Sequence, residues 1–176
     1  MRASLLASVV AATLAVTGCH YFRGAPGSAY AELQPTRGHS VKGYVDFLQA
    51  GDRVRVHAVV TGLRPGSEHG FHVHEVGDCS APDASSAKGH FNPYGKAHAH
   101  YTAAEHHAGD LPPLKADADG KAEFVVELRI ISLTGGPARI TGRSVVVHAN
   151  PDDFRTQPAG NSGARVACGV ILPREN

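Results

Sequence analysis

Twelve histidines stand out in a chain of 176 residues that has no tryptophan and a single methionine. Histidine is the commonest metal ligand and the side chain whose charge changes near neutral pH. Where those rings fall therefore decides what chemistry is open. His72 and His74 flank Val73 in Phe71-His72-Val73-His74. On a strand alternate side chains share a face, so the two rings project together, about 7 Å apart, and can hold one metal ion. His90, His98, His100, His106, His107 and Asp110 crowd one stretch, and His148 closes Val145-Val146-Val147-His148. That is more than four ligands, enough for two metals or for one with spares. Asp110 offers an oxygen beside imidazoles, as a tetrahedral zinc site uses. An all-histidine set suits copper, whose divalent state favours tetragonal nitrogen ligation. By the same alternation His69 faces inward with Phe71 and Val73, a core ring tied by hydrogen bonds. His57 shares a face with Arg53 and Arg55 and reads as solvated, while His20 and His39 lie in loop-like sequence without partners.

Strands must position these rings. Val54, Val56, Ala58 and Val60 alternate with Arg53, Arg55, His57 and Val59, and the same period of two runs through 41–48 and 121–130. One apolar face at period two marks half-buried antiparallel strands. Ala50-Gly51-Asp52, Arg64-Pro65-Gly66 and Asp119-Gly120 supply the turns. Further strands are expected at 70–75, 143–149 and 165–172, with no helix after the leader. Short strands with regular turns predict an all-β sandwich or barrel. Two long loops, 76–112 and 150–164, interrupt it, and loops of that length in a compact domain are usually functional.

Composition narrows the function. Hydrophobic residues make up 42% and charged residues 19%, with 20 Gly and 11 Pro, enough for one packed domain and too apolar for a disordered chain. Lys and Arg number 17 against 16 Asp and Glu, so no basic surface argues for nucleic acid. Arg2 precedes an apolar run, Leu5 to Val16, too short to span a bilayer. Leu14-Ala15-Val16-Thr17-Gly18-Cys19 resembles a bacterial lipobox. The expected organisation is a signal peptide over 1–18, a lipidated Cys19, a tether over 19–30 and one domain over 31–176. Loss of the leader removes Arg2 and leaves a chain of zero net charge. Export into the oxidising envelope, anchored at a membrane and facing the periplasm, leaves Cys79 and Cys168 as a pair expected to form a disulfide.

Gly70-Phe71-His72-Val73-His74-Glu75 resembles the copper,zinc superoxide dismutase family. So do, in order, Gly89-His90-Phe91-Asn92-Pro93, His107-Ala108-Gly109-Asp110-Leu111, Gly142-Arg143-Ser144-Val145-Val146-Val147-His148 and the run from Gly160 to Val170. The similarity extends over roughly Glu32 to Leu172. It implies a Greek-key, immunoglobulin-like β-barrel or sandwich of about eight antiparallel strands. It implies copper on His72, His74, His90 and His148, and zinc on His90, His98, His107 and Asp110, with His90 bridging. His98 is preferred to His100, and His107 to His106, on family spacing. Asp152 matches the aspartate that hydrogen-bonds one histidine of each metal, Arg165 the arginine at the channel mouth, and Cys79–Cys168 the family disulfide. The implied reaction turns two superoxide ions and two protons into oxygen and hydrogen peroxide, with Arg165 and His90 as its catalytic residues. The family also admits a homodimer, although bacterial members pair through a different face. Two departures stand out: 80–88 is longer than in eukaryotic relatives, and 150–164 is short, its charges being Asp152, Asp153 and Arg155.

Overall fold

A computed structural model describes residues 27–174. The leader over 1–18, Cys19 and the tether as far as residue 26, His20 included, lie outside the described residues. Ten strands follow one another: β1 (Ser28–Pro35), β2 (Lys42–Ala50), β3 (Arg53–Thr61), β4 (Glu68–His69), β5 (Phe71–His74), β6 (Leu114–Lys115), β7 (Ala122–Leu128), β8 (Ser144–His148), β9 (Arg165–Val170) and β10 (Leu172–Pro173). A single 3-10 turn, Ser85–Ala87, is the helical content among the described residues. The principal sheet runs β5-β8-β9-β1-β2-β3-β7, with β10 added to β1, and β4 pairs with β6 apart from it. Every one of these pairings is antiparallel. The β1–β2–β3 meander, with β7 beside β3 and β9 returning to β1, makes the chain an all-β, curled Greek-key fold.

The alternation read from the sequence is the alternation of burial. Val54, Val56, Ala58 and Val60 of β3 are fully buried, as are Val45 of β2 and Val145 and Val147 of β8. They pack with Phe47, Phe71, Val73, Ile140 and Ile171 in one core. A fully buried side chain of this size contributes roughly 1.5–3 kcal/mol. One reading needs correction. The segment over 19–30 is not all tether, because β1 begins at Ser28 and buries Ala29 and Ala31. Small alanines beside Gly, Pro and Ser look like a linker, yet in β1 they pair with Phe47 and Val45 of β2 and join the core. β4 and β6 are two residues each, too short to show a period.

β8 is buried on both faces. Its outward Val146 packs against Ala84, Ala87 and Cys168 beneath the segment over 79–88. Cys79 and Cys168 form the disulfide that fastens that segment, across a sequence separation of 89.

Candidate metal centre

The site grows from the open edge of β5. An exposed edge presents unpaired N–H and C=O groups that some other segment must meet. Here the loop over 75–113 meets them: Phe91 N–H donates to Val73 O and Val73 N–H to Gly109 O, both at 2.8 Å. The resulting bridges set His90 beside His74 and Asp110 beside His72. On the other side of β5, β8 runs antiparallel and its register slips between Val147 and His148, leaving His148 opposite Arg165. Such a bulge re-aims the side chain that follows it. The His72 and His74 rings, on one face as the strand period requires, have centroids 6.4 Å apart.

Two buried ligand groups result. His72, His74, His90 and His148 form one; His90, His98, His107 and Asp110 form the other, and His90 belongs to both. In the second group the Nδ1 atoms of His98, His90 and His107 lie 3.0, 3.3 and 3.6 Å from Asp110 Oδ1. A tetrahedral ion with bonds of about 2.0–2.2 Å spaces its ligand atoms about 3.3–3.6 Å apart, so the set has the spacing of a zinc shell.

The hydrogen bonds fix which nitrogen of each ring is bare. His74 Nδ1 donates to Lys88 O at 2.9 Å and His148 Nδ1 to Gly163 O at 3.3 Å. A carbonyl only accepts, so both Nε2 atoms carry lone pairs, and these face each other at 3.3 Å. Two lone pairs hold that position only with a cation between them. His72 Nε2 donates to Asp152 Oδ2 at 2.7 Å and His98 Nε2 to Asp152 Oδ1 at 2.9 Å. Asp152 thus grips one ring of each group and turns each Nδ1 towards its metal position. His72 Nδ1, His90 Nε2 and His107 Nδ1 are buried without a hydrogen-bond partner. Buried polar atoms are almost always satisfied, so three in one place fit a site built for metal ions. The donor chemistry fits copper in the all-imidazole group and zinc in the group with the carboxylate.

Electrostatics agree. Burial pushes His72 down to about 4 and His148 down to about 3, in each case with a neighbouring histidine adding to it. Burial likewise holds His74 well below its ordinary value. These rings are neutral, ligand-ready imidazoles at physiological pH. Burial opposes charge on His98 too, but hydrogen bonds to Asp110 and Asp152 outweigh it and raise the ring to about 9. Burial favours the neutral form of Asp110 and Asp152, yet their histidine partners hold both well below the usual carboxylate range.

The other histidines stand apart. His100 bonds Thr102 Oγ1 at 2.7 Å and packs on Tyr101 and Phe154. His106 is buried and donates to His107 O. His57 is half-buried against Glu123 at 3.1 Å, not simply solvated, and His39 is exposed. His69 is a core ring between Ser67 Oγ at 2.6 Å and His148 O at 2.8 Å, so it also steadies a ligand's backbone.

Arg165 reaches across to the disulfide-fastened segment, where Nη1 donates to Ala84 O and Nη2 to Lys88 O, each at 2.5 Å. Two supporting residues have no role assigned from the sequence, although Gly160 opens one of the family-like runs. Gln157 clamps the His98 backbone, accepting from its N–H at 2.8 Å and donating to its carbonyl at 2.9 Å. Gly160 has φ 63°, and a Cβ there would lie 1.8 Å from Asp152 Oδ1.

An antiparallel barrel with a shared histidine between two ligand groups defines a two-metal protein of the copper/zinc type. A family model described as copper/zinc superoxide dismutase matches residues 41–171. A superoxide dismutase [Cu-Zn] 2 of Aquifex aeolicus is 40% identical over 147 residues, 81% of this chain and 85% of that protein. The superoxide dismutase-like protein YojM of Bacillus subtilis is 38% identical over 148 residues, 81% of this chain and 75% of that one. Among solved structures, a double mutant of a superoxide dismutase-like protein from Bacillus subtilis superposes with TM-score 0.74 at 40% identity, covering 81% of this chain and 96% of its own. The clock protein EA4 gives 0.76 at 39%, covering 84% and 95%. The chain belongs to the copper/zinc superoxide dismutase family, whose members use copper and zinc.

Proposed function

We propose that this chain is a superoxide dismutase that converts two superoxide ions and two protons to oxygen and hydrogen peroxide. The observation that carries the proposal is the pair of complete ligand groups sharing His90. His72, His74, His90 and His148 would hold copper; His90, His98, His107 and Asp110 would hold zinc. Bound copper supplies a one-electron couple that superoxide can both reduce and oxidise, and zinc, which has no redox couple, supplies fixed charge.

The chain does the rest. Arg165 remains cationic and offers a planar fork of donors to a small anion. Its two carbonyl partners fix its direction before substrate arrives. His90 Nε2, buried and unpartnered, can hold a proton and hand it to the departing peroxide. Asp152 keeps the His72 and His98 rings from turning, and the buried walls keep bulk water away. On the sequence alone we extend the proposal to location: a lipoprotein of the bacterial envelope, anchored through Cys19, facing the periplasm and protecting it from superoxide.

Purified protein should carry about one copper and one zinc per chain and dismutate superoxide. Full metal loading without dismutase activity would overturn the catalytic reading. Wild-type chain in the membrane fraction, released by Cys19→Ser, is expected; wild-type chain wholly in the soluble fraction would overturn the anchor.

A further inference from the structure

Lys88 stands at φ 65° and ψ −146°. This part of backbone space is nearly glycine's alone, because a Cβ there crowds its own peptide units, and residues held in it cluster at functional sites. The backbone has an evident reason to be there. The Lys88 carbonyl accepts from His74 Nδ1 at 2.9 Å and from Arg165 Nη2 at 2.5 Å, so one peptide oxygen ties a metal-group ring to the mouth arginine. Glycine would supply that carbonyl without strain. A lysine in its place calls for a reason in the side chain.

That side chain is exposed and enters no ion pair among the described residues. Its surroundings hold both signs of charge. Glu75 N–H bonds Gly89 O at 3.0 Å, the Asp78 carbonyl accepts from Ser86 Oγ in the disulfide-fastened segment, and Asp83 lines one cleft with Arg37 and Arg165. Arg143 Nη1 donates to Glu75 O at 2.7 Å. Without Lys88, three carboxylates, Glu75, Asp78 and Asp83, match three guanidiniums, Arg37, Arg143 and Arg165; with it, the local sign is positive. Superoxide is a monoanion, and a cleft's local sign governs how often such an ion arrives.

We infer that Lys88 is a specificity-determining residue, a second cation that guides the substrate anion to Arg165 and the metal-ligand histidines. The inference rests on the dismutase reading. It explains why a strained backbone carries a charged side chain two residues before the shared His90.

Three variants test it in metal-loaded full chain: Lys88→Gln keeps the strain and removes the charge, Lys88→Gly removes both, and Lys88→Arg keeps both. Lys88→Gln and Lys88→Gly should slow the second-order rate about two- to fivefold at low ionic strength and converge on wild type at high salt, while Lys88→Arg stays near wild type. Lys88→Gly should melt higher by roughly 2–6 °C once strain is relieved. Azide, a small monovalent anion that ligates Cu(II), gives a readout besides turnover: its dissociation constant, followed by visible absorption, should rise by a similar factor in both neutral variants. Unchanged rates, salt slope and azide affinity in Lys88→Gly would overturn the inference. Metal-loaded wild type without dismutase activity would instead refute the function proposed above, and the azide comparison would still decide whether Lys88 attracts anions.

Discussion

Asp110→Asn asks whether the zinc group depends on a charge or on a direction. The two carboxylate oxygens have different duties. Oδ2 accepts from His107 N–H at 2.9 Å and, more weakly, from Ala99 N–H at 3.4 Å. Oδ1 faces the three Nδ1 atoms. In the amide, those backbone donors hold the carbonyl oxygen at the Oδ2 position, so the NH2 group points at the metal position, where it cannot ligate. Flipping the amide would strand the buried His107 N–H and the part-buried Ala99 N–H. Each such loss costs about 1–3 kcal/mol, and with the longer bond at the low end the pair costs roughly 2–4 kcal/mol, or roughly 30- to 1000-fold in zinc affinity. Loss of the anionic ligand acts in the same direction. Titration of metal-free protein against a competing chelator measures this, and copper uptake on the same samples should stay high because Asp110 is outside the copper group. Zinc affinity within tenfold of wild type would refute the reasoning.

Three further outcomes follow from the geometry. His148→Ala should weaken copper at least about 100-fold and leave zinc near full occupancy, checked by elemental analysis. Arg165→Ala should slow dismutation roughly tenfold with metals retained, and Arg165→Glu should slow it further with a flat or inverted salt dependence, read by pulse radiolysis across a salt series. The pH dependence turns on His98, raised to about 9. In the metal-free protein its contribution to stability is present below the ordinary pKa of about 6.5 and is lost as pH rises through 9. Zinc must displace that proton. Zinc binding near pH 7 should therefore release about one proton, and its affinity should climb about tenfold per pH unit up to about 9, measured by calorimetry in buffers of different ionisation enthalpy.

Much of this architecture was legible in the sequence, and the reasons for the rest are physical. β3 announced itself because each inward position is Val or Ala and each neighbour except Val59 is charged or polar. β1 did not, because Ala29 and Ala31 are small and follow Gly, Pro and Ser. His72 and His74 could be paired from strand period alone. No period separates His98 from His100 or His106 from His107. Family spacing selects His98 and His107, and the fold turns those two rings towards Asp110. The partners of Arg165 lie 81 and 77 positions away and are carbonyls, so they leave no mark in side-chain chemistry. Gln157 grips a ligand's backbone through its amide, and that residue type in a loop signals nothing by itself.

The burial of every ligand has a kinetic consequence. His90, His98, His107 and Asp110 all expose 6% of their surface or less, so a bulky chelator does not reach a bound zinc ion in the closed fold. Escape then waits on a local opening of the loop over 75–113, and the exchange lifetime reports how often that loop opens, not how strongly the ion is held. The His107 amide, bonded to Asp110 Oδ2, is sealed by the same loop. Its hydrogen exchange and the departure of zinc should keep the same clock.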